Sequence, residues 1–558
     1  VTVTRATSPA PPAATAVLLR LLRQLGCAPT GVTADVTWAG PVRLPLVDEA
    51  GVQAACGLMH IHGRRDGHPV PLAMDVAASV AGILAAHGVV AALIARARGL
   101  PLTAVRTSAS QAALLLAAQY LAADNAADAV PAPGPGLPRS FVSADGVRFE
   151  IETLDAEPWQ RFWRILGAGP EAIRHGWPPF QLRFGTATCP LPPELHEIAT
   201  GRPFARVLAA GTASGVVVMR VRETPGLAPE SAPWRFEPLA GTSRQSYHRP
   251  RELPLEGIVV VESARRVQGP LAGHLLRMLG ADVVRVEPPG GDPLRWPPPL
   301  AGDCSARFRA INDGKRVAEA DFTTAAGRAR LCELVAGADV FLHNWAPGKA
   351  QALGLDAADL NRVRPGLVYA AAGGWGPEPG AGPKIATDYV VQAQSGLAAA
   401  IRPQGEPPAH TLLTLADLLG GLVCALGVLG ALHTRIRTGI GSRTDSSLLS
   451  ATAALPRSPV RPVWTDLDRP LRTADGYLML SRVARPALGA GQAVLRGARQ
   501  RSTAEVLRQL AEAGLPAVPV CTDLRQLAAD WRFEQALEIT GDAAGGRMVS
   551  VRPPWEFW

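Results

Sequence analysis

Lysine is almost missing from this chain: of 56 basic residues only Lys315, Lys349 and Lys384 are lysines. The arginines are scattered along the sequence rather than clustered, so the formal net charge of +8 is not the footprint of a nucleic-acid binder. Attraction for an anionic small molecule stays open. The seven cysteines, Cys27, Cys56, Cys189, Cys304, Cys332, Cys424 and Cys521, form no C-x-x-C pair, which argues against a zinc site or a disulfide framework. No metal is expected, and a reducing cytoplasmic setting is. Residues 1–16, rich in Pro, Ala and Thr, lack a basic start followed by an apolar run, and are expected to be a flexible tail rather than a signal peptide. Long apolar runs are scarce too. Residues 76–95 and 415–432 approach membrane length, but both are rich in Ala and Gly and the first carries His87, so two buried core helices and no membrane partner are expected.

What the chain does have is an internal echo. Val52-Gln53-Ala54 and Gly57-Leu58 return 339 positions later as Val391-Gln392-Ala393 and Gly396-Leu397. The same register places Gly82 on Gly421, Gly88 on Gly427, Arg96 on Arg435 and Ser108 on Ser447. A second echo sets Ser143-Ala144-Asp145-Gly146 against Thr473-Ala474-Asp475-Gly476, and APWRFEP at 232–238 resembles PPWEFW at the C-terminus. Such self-similarity marks a tandem duplication. The expected organisation is an incomplete first copy at 17–238, a linker at 239–253 and a complete copy at 254–558. The second copy divides into a Rossmann-like domain (254–385), a helical segment (386–456), a small domain (457–535) and a C-terminal return (536–558).

In 254–385 strand and helix patterns alternate: GIVVVES, GHLLRMLGA, DVVRVEP, AAGRARLCELVAGA, DVFLHN and LVYAAAGG. This is the pattern of a parallel α/β sheet, whose ligands bind beyond the carboxyl ends of the strands. The loops VESARRVQGP, VEPPGGDP, LHNWAPG and AAGGWGP all fall there. Taken singly, each reads as a turn or a solvated charged loop. One acid stands out. Asp417 opens a long Ala/Gly/Leu helix, where the plain reading is a first-turn acid that satisfies free N–H groups. Its counterpart in the first copy is Ala78; Asp75 lies about one helical turn of 5.4 Å earlier, too far to replace a positioned oxygen.

The series Leu255 to Trp296, INDGKRVAEADF, ADVFLHNWAPG, RPGLVYAAAGGWGP and Asp417 followed by Gly421 and Gly427 resembles the class III CoA-transferases. That family holds the carnitine-CoA and formyl-CoA transferases, with the α-methylacyl-CoA racemases as relatives. The resemblance implies an α/β, Rossmann-like CoA domain with long helices and small α+β domains, interlocked between two subunits. It implies coenzyme A as co-substrate, Asp417 as nucleophile, and CoA contacts from Arg266, Val267, Gln268, Asn312, Lys315, Arg316, Asn344, Trp345 and Gly376. N–H groups near Leu418 and Leu419 are expected to stabilise the oxyanion. The implied reaction moves CoA from an acyl-CoA to a carboxylic acid through an aspartyl mixed anhydride and an enzyme-CoA thioester. A racemase is the alternative, but Ala386-Thr387-Asp388 stands where those enzymes carry Gly-His-Asp, so the second base is missing. A CoA-binding scaffold, or a new acyl reaction in biosynthesis, is the other. With two copies in one chain, the expected assembly is a homodimer or an internal pseudo-dimer with one live site.

Overall fold

The computed structural model describes residues 10–27, 31–131, 134–136, 140–226, 231–242, 249–376, 382–383, 385–487, 491–541 and 547–558. Residues 1–9 of the expected tail, 243–248 of the expected linker and Lys384 lie outside them.

Seven strands form the largest sheet, in the order Arg316–Glu319, Asp282–Glu287, Val259–Ser263, Val340–His343, Val368–Gly373, Ser442–Ser447 and Trp234–Pro238. The first six run parallel and the last is antiparallel. The central strands are buried along most of their length, as continuous Val/Leu/Ala runs demand when helices cover both faces. The edge strand Arg316–Glu319, charged at both ends and largely exposed, was hidden in a segment that reads as a polar turn. The helix after the first strand begins at Gln268, five residues before the apolar pattern that announces it at Gly273. Pro270 sits in its first turn, where a missing N–H costs nothing.

The two long helices, Val76–Ala97 and Leu415–Thr438, pack on each other in the core, and 94% of the most apolar window of each is buried. Both begin 339 positions apart, as do the short helices before them, Glu49–Ala55 and Asp388–Ser395. The side chains repeat the correspondence. Trp234 Nε1 donates to the Val423 carbonyl at 2.6 Å, and Trp555 Nε1 to the Leu84 carbonyl at 2.7 Å. A Cβ on Gly427 would lie 2.6 Å from Trp234, and one on Gly88 would lie 2.5 Å from Val105, which is why both helices carry glycine there.

The halves exchange their ends. Strand Trp234–Pro238, closing the first half, pairs with Ser442–Ser447 of the second; Glu556–Phe557, closing the second, pairs with Ala104–Ser108 of the first. The small sheets cross over in the same sense. In the sheet of Phe141–Val142, Arg148–Glu152 and Val217–Arg220, the last two strands pack on helix Asp388–Ser395, whereas Tyr477–Leu480 and Ala517–Pro519 pack on helix Glu49–Ala55. The small-sheet echo is equally literal: Asp145 accepts from the Phe204 N–H at 2.9 Å, and Asp475 from the Thr503 N–H at 2.7 Å.

Candidate active site

The start of helix Leu415–Thr438 lacks a cap of its own. Thr414 precedes it at φ 55°, ψ 44° and offers no side-chain bond. Asp388, at the start of a neighbouring helix, does the capping: its Oδ2 accepts from the Asp417 N–H at 2.9 Å. Gln392 holds Asp388 in place, donating to Asp388 Oδ1 and to the Thr411 carbonyl, while its Oε1 accepts from the Thr411 N–H at 3.0 Å. The first half repeats the device. Glu49 accepts from the N–H groups of Ala77 and Ala78 at 2.8 and 2.9 Å, and Gln53 links Glu49 to the Leu72 backbone. Because Asp388 serves the helix terminus, the Asp417 carboxylate is not needed there.

That carboxylate instead lines a cavity of about 340 Å³ at the carboxyl ends of the parallel strands. Arg265, Arg266 and Val267 form one side, residues 292–297 and 305–311 another, and Thr387, Asp388, Tyr389 and Thr414 the floor around Asp417. The remaining wall comes from the first half: Gln119, Glu152, Thr153, Leu154, Gln181, Arg183 and Phe184. Glu152 accepts from Thr387 Oγ1 and from Arg183 Nη2, the latter at 2.9 Å, tying the first half's small sheet to the helix that carries Asp388. Three non-glycine residues among those described have positive φ, and two of them, Arg266 at 65° and Thr414 at 55°, line this cavity. Backbone held in that region costs about 1–3 kcal/mol and clusters at functional sites. Burial pushes the Asp417 carboxyl up to about 6, opposed by Arg266 and reinforced by Glu152. Burial, then the Asp417 charge, drives Asp388 far above the ordinary carboxylate range.

Of the residues singled out in the sequence, Asp417, Arg266 and Val267 meet at the cavity. Gln268 stands behind them, donating to the Gly373 carbonyl at 3.0 Å. Gly420 and Gly421 let it approach the long helix, since a Cβ on Gly421 would lie 2.8 Å from the Gln268 carbonyl oxygen. Asn344 ties the backbone N–H and carbonyl of Arg265, and Trp345 Nε1 donates to Ser263 Oγ at 3.1 Å, so the loop at 344–345 braces the loop at 263–266. Gly376, at φ 147°, ends the described part of its own loop.

Asn312 and Lys315 are not brought to the cavity around Asp417. Lys315 Nζ reaches Glu262 at 2.7 Å, the Pro270 carbonyl at 2.7 Å and Asn312 Oδ1 at 2.9 Å, which uses all three donors. Arg285 binds Glu262, Glu287 and Asp292 in the same buried network. A buried ammonium so engaged has no donor left for a phosphate. Arg316 is exposed at the sheet edge and pairs with Asp282. The expected oxyanion donors are also corrected: Leu418 N–H donates to the Thr414 carbonyl at 3.1 Å, because the helix already starts at Leu415 and Leu418 belongs to its first closed turn.

A model of CoA-transferase family III matches residues 40–232 and again 255–466. The chain belongs to CoA-transferase family III. The double match is consistent with the tandem arrangement. Over 203 residues it is 35% identical to the acetyl-CoA:oxalate CoA-transferase of Acetobacter aceti, covering 36% of this chain and 52% of that protein. The human succinyl-CoA:glutarate CoA-transferase is 33% identical over 203 residues, covering 36% and 46%. The chain thus spans about half the length of the curated relatives it matches. A CaiB/BaiF family protein of Brucella suis, known from a crystal structure, is 28% identical at a TM-score of 0.49, covering 54% of this chain and 92% of that one.

In this family III chain several cavity residues escaped the sequence reading. Asp388 had a signal: an acid four residues before glutamine recurs as Glu49–Gln53 in the repeat register. Glu152 and Arg183 had none, since nothing local ties the first half's small sheet to Asp417.

Proposed function

We propose that the protein is an acyl-CoA:carboxylate CoA-transferase with one working site, at Asp417. The observation that carries the reading is the freed carboxylate: Asp388 caps the helix, and Asp417 faces the cavity that the positive-φ residues Thr414 and Arg266 also line. An Asp417 oxygen attacks the thioester carbonyl carbon, the C–S bond breaks, and a mixed anhydride and CoA thiolate result. The thiolate attacks the Asp417 carbonyl carbon, releases the first acid as carboxylate and leaves an enzyme-CoA thioester. The acceptor carboxylate repeats both steps in reverse, and no net proton is consumed. Arg266 lowers the cost of keeping Asp417 ionised. The first half keeps the capping device but carries Ala78 at the nucleophile's position.

The architecture that goes with this reading is an interlocked pseudo-dimer within one chain, supported by the reciprocal strand pairing and the crossed small sheets. For a racemase, the cavity wall among the described residues offers Thr387 and no imidazole; His410 lies 2.9 Å from Glu150 and is buried away from it. The test is mass detection after incubation with an acyl-CoA panel. A CoA adduct on the peptide containing Asp417, absent in Asp417→Asn, supports the transferase. Normal turnover in Asp417→Asn ends it.

A further inference from the structure

A carboxylate attacking a thioester needs a donor for the oxyanion that forms, and the donors at the start of the long helix are already spent. The Leu418 N–H goes to the Thr414 carbonyl and the Asp417 N–H to Asp388. Most cations near the cavity are engaged elsewhere. Arg183 is paired with Glu152, Arg307 stacks on the Tyr120 ring at 4.6 Å from its centroid, and Arg265 lies near Lys349. The positive charge felt by Asp417 is that of Arg266, which lines the same cavity. Among the described residues no carboxylate pairs with Arg266 and no acceptor holds its guanidinium.

The backbone under this side chain is the second observation. Arg266 stands at φ 65°, a conformation that glycine adopts freely and that a residue with a Cβ resists. The turn itself is fixed by its neighbours. Asn344 accepts from the Arg265 N–H at 2.9 Å and donates to the Arg265 carbonyl at 2.8 Å, and a helix begins two residues later at Gln268. The fold therefore asks for this conformation and not for an arginine; glycine would suit it better. The guanidinium is exposed and unspent, so its use lies in the cavity.

We propose that Arg266 is a catalytic residue, whose guanidinium donates to the oxyanion formed when an Asp417 oxygen adds to the thioester carbonyl carbon. In that step the negative charge passes from the Asp417 carboxylate to the carbonyl oxygen, beside the same cation. It passes on to the sulfur when the C–S bond breaks, and Arg266 gives up no proton. The inference rests on the transferase reading and supplies the donor that reading lacks.

The experiment uses the full chain and reads the single-turnover rate of CoA-adduct formation with acetyl-CoA and succinyl-CoA, at several concentrations and from pH 5 to 9. Besides Arg266, the groups around Asp417 are Asp388 and Glu152, with Arg183, Arg307 and Tyr389 along the wall; all stay unchanged in the variants. In Arg266→Gly and Arg266→Met the saturated rate on the high-pH plateau should fall about 100- to 1000-fold, with a smaller loss in Arg266→Lys. The Tm of Arg266→Gly should match or exceed that of the wild type, because the strained backbone is relieved. A plateau equal to wild type with only the midpoint moved to higher pH would overturn the inference, because Arg266 would then do no more than keep Asp417 ionised. An unchanged saturated rate reached at higher acyl-CoA concentration would also overturn it, making Arg266 a CoA contact. So would a marked fall in Tm for Arg266→Gly, which would give the side chain to the fold; these three outcomes leave the transferase reading standing. No adduct on the wild type with either thioester would remove that reading and the inference together.

Discussion

At the residue scale, Asp417, the nucleophile in the proposed reaction, is a carboxyl buried at the expense of stability. Its carboxyl is raised to about 6, so the native state holds this proton more tightly than the unfolded chain does. Stability contributed by the group is present at low pH and is lost as pH rises from the ordinary carboxylate range through about 6. Asp417→Asn is therefore expected to unfold at a higher temperature than the wild type at pH 7, by on the order of 1 kcal/mol, while losing adduct formation. Only the ionised carboxylate attacks a thioester, so the rate should fall tenfold per pH unit well below 6 and level off above it. A single-turnover pH profile checks this, and a flat profile between pH 5 and 8 would contradict it. Asp417 was legible because an acid heading an Ala/Gly/Leu helix needs a reason. Its charge environment was not, because Asp388 reaches it from 29 positions away and Glu152 from the other half of the chain.

At the scale of elements, the two long helices are capped in one way and used in two. Glu49 and Asp388 each satisfy helix-start N–H groups from a neighbouring helix, with Gln53 and Gln392 as their supports. Replacing either acid with alanine strands those N–H groups and should cost about 1–2 kcal/mol in thermal or denaturant unfolding. The functional consequences should differ. Asp388→Ala leaves the Asp417 backbone unheld and should reduce adduct formation at least tenfold. Glu49→Ala, beside Ala78, should leave the rate per folded molecule within about twofold of wild type. Similar losses of rate in both variants would mean that the first half's capping matters to the site only through overall folding. The strand–helix alternation and the register of the repeat were readable from apolar pattern and glycine spacing, since these report burial directly. The start of the helix at Gln268 was not, because Gly269 and Pro270 mask a first turn that needs no internal N–H bonds.

At the scale of the whole molecule, each half completes the other. The strand edge of Ser442–Ser447 is covered by Trp234–Pro238, and Trp234 also fills the groove above Gly427; Trp555 and Glu556–Phe557 do the same for the first half. Uncovered, such an edge is a template for pairing with another chain. Joining both halves covalently satisfies it within one polypeptide, so light scattering should return a mass near 58.5 kDa rather than twice that. A fragment of residues 254–558 keeps the α/β sheet and Asp417 but loses its edge strand and the wall formed by Glu152 and Arg183. It should either dimerise through its own C-terminal strand or aggregate, and in both cases react with acyl-CoA at least a hundredfold more slowly, because the cavity lacks one side. Adding the separately produced fragment 17–238 should restore part of the rate if the halves meet as they do in the intact chain. A monomeric, fully active 254–558 fragment would show that the first half is dispensable to the site, and would remove the basis for an interlocked pseudo-dimer.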